Sequence, residues 1–186
     1  MRTINLIKVT VILGLLGCAS PQPKEKPRYM TIAEILEQNL DSSYKGAGIT
    51  YVVNQIAIYP TVDGGSVGIG GIQSEQYRRF LWLKDFATNQ ELVDLTRSSS
   101  VNVRIYSFKI LHDRGDPVCK QILDRLVDDT ASFTNFSGCI QLTDYANMYC
   151  LRISKDMLSA KEYSSYKQRI SKNFSEKEWR FLNSMN

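Results

Sequence analysis

One histidine, His112, and four cysteines, Cys18, Cys119, Cys139 and Cys150, stand among the 186 residues. A single imidazole excludes a histidine-rich metal site or a relay of several histidines. No C-x-x-C is present, so neither a redox pair nor a cysteine zinc site is indicated. No metal and no cofactor is therefore expected. A Ser-His-Asp triad would have to use His112, which falls in the last turn of a helical stretch, where a partly cationic imidazole suits the negative end of the dipole. Asp63 heads a glycine run at positions 64, 65, 68, 70 and 71. The last position of a G-x-G-x-x-G pattern there would be Gln73, and no Gly-Lys-Ser/Thr follows, so the run is not a phosphate cradle. Asp124, Asp128 and Asp129 crowd one helix end, and Glu176 and Glu178 sit at a helix start. Carboxylates for glycoside cleavage must oppose one another across a sugar, and solvated surface charge is the plainer account of both groups.

These residues must be placed by helices, for which the pattern is strong. Thr31-Ile32-Ala33-Glu34, Thr88-Asn89-Gln90-Glu91, Ser159-Ala160-Lys161-Glu162 and Ser175-Glu176-Lys177-Glu178 are capping boxes, in which hydroxyl and carboxylate satisfy each other's free backbone amides. Ser74 caps a helix with Tyr77, Phe80 and Leu81. Ser98-Ser99-Ser100 breaks one helix and caps the next, where Val103, Tyr106, Ile110 and Leu111 recur at helical spacing. Gly115 stops that helix, Asp116 caps its successor and Pro117 takes the first position, where its missing amide is harmless. That reading accounts for Arg114-Gly115-Asp116, which also spells the tripeptide that integrins bind. Ile49 to Tyr59 fits a helix or a buried strand, Asp63 to Gly71 a flexible or tightly turned loop, and Ser132 to Gly138 a turn, after which Asp144 caps a helix. Short turns between antiparallel helices predict an all-α fold of stacked helical hairpins.

At the N-terminus, Arg2 and Lys8 precede an apolar run from Val9 to Leu16, the layout of a secretory signal peptide. The run falls short of the roughly 20 residues that a spanning helix needs, and Ala19-Ser20-Pro21-Gln22-Pro23-Lys24 follows at once. Leu15-Leu16-Gly17-Cys18 resembles the lipobox of bacterial lipoproteins. That resemblance implies diacylation of the Cys18 thiol, cleavage after Gly17 and acylation of the new amino group, an anchor of two or three chains. Ala19, in place of the Asp that retains some lipoproteins in the inner membrane, leans towards the outer one. Residues 1 to 17 are then signal peptide, 18 to 30 a lipidated tether and 31 to 186 a single domain.

Within that domain, Glu91-Leu92-Val93-Asp94-Leu95 followed by Ser99-Ser100-Val101-Asn102-Val103-Arg104-Ile105-Tyr106-Ser107-Phe108 resembles a HEAT-type repeat. The resemblance covers about residues 74 to 130 and implies a HEAT-like α-solenoid fragment. Arg104 would then pair structurally with acids or carbonyls between repeats. Ser74, Tyr77 and Phe80 are also similar to a Ser-x-x-Tyr-x-x-Phe helix found before such repeats in bacterial proteins, which supplies no function.

Composition narrows the partners. Removing Arg2 and Lys8 from 23 basic residues, against 19 acidic ones, leaves a net charge of about +2. Nothing in that balance predicts a nucleic-acid partner, which needs a clustered basic face, so none is expected. In an oxidising compartment Cys119, Cys139 and Cys150 are an odd set, either three buried thiols or one disulfide, Cys139 with Cys150, and one free thiol. The expectation is a membrane-anchored envelope lipoprotein that presents a helical binding or scaffold surface to a protein partner and is not an enzyme. Its rival is an envelope hydrolase with a site near residues 63 to 71 and Asp63 as its acid.

Overall fold

The structure, a computed structural model, describes residues 48 to 184. The expected signal peptide, the expected lipid attachment at Cys18, the expected tether and the expected Thr31 capping box lie outside the described residues. Helix α1 (Ile49–Ile58) leads into strand β1 (Thr61–Val67). Four helices follow, α2 (Glu75–Phe86), α3 (Asn89–Leu95), α4 (Val101–Asp113) and α5 (Val118–Leu126). Strands β2 (Ser132–Gly138) and β3 (Ile140–Tyr145) come next. The chain then runs through α6 (Ala146–Ile153), a 3-10 turn over Lys155–Met157, α7 (Ala160–Ser171) and α8 (Glu176–Ser184).

The all-α solenoid expectation is corrected by the sheet. Its order is β1-β2-β3, with β1 parallel to β2 and β2 antiparallel to β3. The chain is therefore a mixed α/β fold. Helices α2 to α5 do form across residues 74 to 130, but they are the crossover that a parallel β1-β2 pair requires. A solenoid helix would also keep an outer face, whereas α4 buries Asn102, Val103, Ile105, Tyr106, Ser107, Phe108, Ile110 and Leu111 around most of its circumference. Apolar or small uncharged residues nearly all round mark a helix enclosed by its neighbours. It meets α1, α3, α5 and α6 on its sides and β1 and β2 at the sheet.

Local chemistry explains why the helices are where they are. Ser74 accepts from the Tyr77 amide, and the boxes at Thr88 and Ser159 close in both directions. The Ser175 hydroxyl likewise accepts from the Glu178 amide, whose carboxylate accepts from the Ser175 amide at 2.9 Å. Helix ends that lack a local partner are closed by arginines. Arg114 donates to the carbonyls of Lys84 (2.5 Å) and Ala87 (2.8 Å) at the end of α2, and Arg125 to that of Thr96 (3.1 Å) after α3. A guanidinium suits these sites because several carbonyls converge there and the dipole is negative.

The strands arise where the sequence alone suggested loops. Thr61, Val62 and Val67 in β1, and Phe133, Thr134 and Phe136 in β2, are the β-branched and aromatic types that suit a pleated, half-buried surface. The β2-β3 connection is the two-residue turn Gly138-Cys139, with Ser137 opposite Ile140. Gly138 takes φ +56°, a conformation glycine reaches without strain. Ser132 to Gly138 is thus a strand and not a turn.

Candidate functional site

The hairpin register sets the geometry of a concave surface beside β3. Phe133 faces Asp144, Asn135 faces Leu142 and Ser137 faces Ile140, and alternation puts all six on one side of the sheet. At the inner end, Phe133 and Asp144 are buried beneath the helices. Towards the hairpin turn the helical cover ends, and Leu142 and Ile140 emerge at 45% and 61% exposure. The result is a cleft of about 340 Å³ between this face and Arg152 of α6.

A second hollow of about 230 Å³ continues from it towards β1, sharing Asn135 and Ser137 and adding Asp63, Tyr77, Phe80, Tyr106, Lys109 and Tyr149. Its floor is held by one side chain. The Tyr106 hydroxyl accepts from the Asp63 amide at 2.7 Å and donates to the Asp63 carbonyl at 3.1 Å, which fastens β1 to α4. Burial pushes both the Tyr106 and the Tyr149 phenol far up, so each stays neutral.

Three of the four charged groups in the combined cleft, Asp144, Arg152 and Lys109, have partners of opposite charge, and the fourth, Asp63, has a hydroxyl. The Asp63 carboxylate accepts from the Thr61 hydroxyl. Asp144 pairs with Arg152 and accepts from the Asn135 amide group at 3.4 Å. Lys109 donates to Asp113 at 3.2 Å beyond the rim. Two acids and two cations leave the cleft close to neutral, with Ile140 and Leu142 as an apolar wall.

The residues singled out by sequence are dispersed. Asp63 does line the second hollow, from a strand rather than a loop. His112 sits in the last turn of α4 with Nε2 2.9 Å from an Asp156 oxygen, in a separate hollow that also holds Cys119. Burial, then the nearby Asp116, pushes the Cys119 thiol up to about 11, the opposite of what a nucleophilic cysteine needs. Asp116 accepts from the Val118 amide at 3.0 Å, but α5 begins at Val118 with Pro117 in the cap position, so Asp116 lies one residue before the cap and Pro117 is not the first helical residue. Asp128 and Glu176 form ion pairs with Arg169 and Arg180, and Asp124 accepts from the Tyr166 hydroxyl at 2.5 Å. Arg104 contacts both oxygens of Asp129, at 2.7 and 3.1 Å, and donates to the carbonyls of Ser98 (2.8 Å) and Ser99 (2.9 Å).

Two further readings are corrected. Cys139 and Cys150 are both free thiols. Cys139 is exposed in the hairpin turn and Cys150 lies wholly buried in α6, where burial pushes its thiol up, so they do not form the Cys139–Cys150 disulfide. Asp144 does not cap α6 itself. It is the penultimate residue of β3, and Tyr145 takes the cap position.

Sequence reasoning missed Asn135, Ser137, Ile140, Leu142, Thr143 and Arg152. The available signal was Gly138-Cys139 between two runs rich in aromatic, β-branched and apolar residues, a hairpin pattern. Among the described residues no cluster of three or more His, Cys, Asp or Glu could hold a metal. No described helix is long and apolar enough to cross a membrane. Compared with protein-family models and with curated proteins, the chain matches none.

Proposed function

We propose that this protein is a lipid-anchored binding module of a bacterial cell envelope, tethered through Cys18 on the outer membrane, and that its cleft takes an extended segment of an envelope protein. The observation that carries the binding role is the wall of Ile140 and Leu142, half-exposed on strand β3. Among the described residues β3 has only β2 as a strand neighbour. An extended peptide can add to such an edge through its backbone while alternate side chains enter a flanking pocket. The near-neutral polar floor suits a peptide rather than an anion, because Arg152 is already matched by Asp144. The expected surface is thus a sheet edge and its cleft rather than a helical face.

The test is capture of the full-length chain from detergent-solubilised membranes, beside Leu142→Arg and Cys18→Ala variants. A stoichiometric partner that is lost with Leu142→Arg, while the variant keeps its unfolding midpoint, supports the reading. Retention of the partner by Leu142→Arg removes the cleft from it. The same preparation separates the rival hydrolase, since turnover of peptidoglycan or esters that Asp63→Asn abolishes would replace binding with catalysis.

A further inference from the structure

At the far end of the sheet two turns are bound together. The Gly68 amide donates to the Gly138 carbonyl at 2.8 Å, joining the turn after β1 to the β2-β3 turn. The first turn is closed by Val67 and Ile72, which exchange backbone hydrogen bonds at 2.9 and 3.1 Å. Gly68 and Gly71 take φ +72° and +59° there, which keeps the turn tight. The resulting tip presents Ile69 at 99%, Ile72 at 67% and Ile140 at 61% exposure, with Cys139 exposed beside them. Neither residues 64 to 74 nor residues 130 to 143 contain an Asp, Glu, Lys or Arg, in a chain that is 23% charged.

Ile69 and Ile72, held outward on an uncharged tip, would gain free energy by leaving water. We infer that this tip is a membrane contact, in which Ile69 and Ile72 enter the interfacial region of the lipid bilayer to which the chain is anchored. The inference rests on the lipid-anchor reading of Cys18. Residues 19 to 30, read as the tether, can span at most roughly 40 Å, at about 3.5 Å per residue. A domain of this size has a radius of gyration of about 14 Å, so the tether forbids no face. The surface itself therefore decides which end meets the bilayer.

A lipid surface fits this tip better than a protein does. Protein hot spots are rich in Trp, Tyr and Arg seated in concave partners, and residues 64 to 74 and 137 to 142 contain none of the three. Binding of an apolar surface to a lipid interface grows with the buried apolar area.

Cys139 offers a native probe, because Cys119 and Cys150 are buried. The full chain purified from membranes is labelled with a polarity-sensitive thiol fluorophore and reconstituted into phosphatidylethanolamine–phosphatidylglycerol vesicles, with and without lipid-borne quenchers. The expected result is a blue-shifted emission that the quenchers reduce. Ile69→Asp with Ile72→Asp, neither of which lines the cleft, should restore the spectrum of the detergent-solubilised chain. In the Cys18→Ala background each lost isoleucine should weaken vesicle binding by roughly tenfold or more. A water-like emission in vesicles overturns the inference, and so does a blue shift that lipid quenchers leave untouched, as a tip-to-tip dimer would give. The mass of the Cys18 peptide reports the anchor separately. An unacylated Cys18 in the native chain, with quenched emission from a Cys18→Ala chain labelled at Cys139, sinks the anchor and keeps the tip, whereas an acylated Cys18 with water-like emission does the reverse.

Discussion

Along α2 to α5, helix ends are closed by residues near in sequence or by an arginine on a neighbouring helix, and the apolar faces turn inward. The sheet is assembled differently. Thr61 finds its partner in Thr134, and β1 is held to the helices by the Tyr106 hydroxyl. Charge follows the same division. The helical crossover is laced with ion pairs such as Lys84 with Asp113 and Arg104 with Asp129, whereas the far end of the sheet carries no charge and three exposed isoleucines. One region stores the stability of the fold, and the other offers surface. Surfaces for partners and membranes need to remain incompletely buried, and a chain can leave them so only where another region carries the core.

The largest effect should come from the enclosed helix. Phe108 is fully buried in α4, and Phe108→Ala should cost about 3–5 kcal/mol through lost transfer energy and the cavity left behind. Urea unfolding checks this, and a loss below about 1 kcal/mol would mean that α4 is not the centre of the core. Next comes Arg104, 14% exposed and bound to Asp129 and two carbonyls. Arg104→Ala strands a carboxylate that is itself only 16% exposed, at about 1.5–3 kcal/mol for charge-assisted bonds. A smaller loss would place the crossover's stability in its apolar faces alone.

Tyr106→Phe probes the joint between the two regions. It keeps the ring that packs on Phe80 at 5.0 Å between centroids and removes the hydroxyl that serves the Asp63 backbone. About 1–2 kcal/mol should be lost, since a buried amide and carbonyl lose their partner. Amide exchange should quicken at Asp63 and its β1 neighbours before it changes in α4. Equal quickening in both would show that the sheet and the helices open as one unit.

This contrast also explains what the sequence made legible. Helix starts at Ser74, Thr88, Ser159 and Ser175 were readable because a cap and its partner lie three residues apart. The crossover helices were readable too, but their arrangement was not, because the apolar stripe of Val103, Tyr106 and Ile110 looks alike in a solenoid and beneath a sheet. Strand β1 was hidden by Gly64 and Gly65, which weaken a strand signal. Gly64 has a physical role: a Cβ there would lie 2.9 Å from Ser137 Oγ on the neighbouring strand. The cleft was illegible for the same reason as the sheet. Asn135, Leu142 and Arg152 become neighbours only through β2-β3 pairing and the return of α6, and none carries a motif. Asp63 was noticed, but as part of a loop, because its partner strand lies beyond four helices.

The smallest effect belongs to α7, which is attached outside both regions and shows how little a surface pair contributes. Glu162 closes the box with Ser159, accepting from its amide at 2.9 Å and its hydroxyl at 2.7 Å, and pairs with Lys120 of α5. Lys120 first, and then Ser159, lower the Glu162 pKa from its ordinary 4.5 to about 2. A carboxyl whose folded value is depressed adds stability in full above its unfolded value and loses it as pH falls towards the folded one. The contribution should therefore be intact at pH 6 and fade between about pH 4.5 and about pH 2. Because the pair is exposed, solvent screening keeps it small, so it is read as a difference between two chains. The urea midpoints of the native chain and Glu162→Gln should be separated at pH 6, draw together below about pH 4.5 and converge only near about pH 2. Amides in the first turn of α7 should carry the change while those of α4 do not. A gap that stays constant with pH would mean that Glu162 acts through its shape, as an amide also could, and that its charge is not what joins α7 to α5.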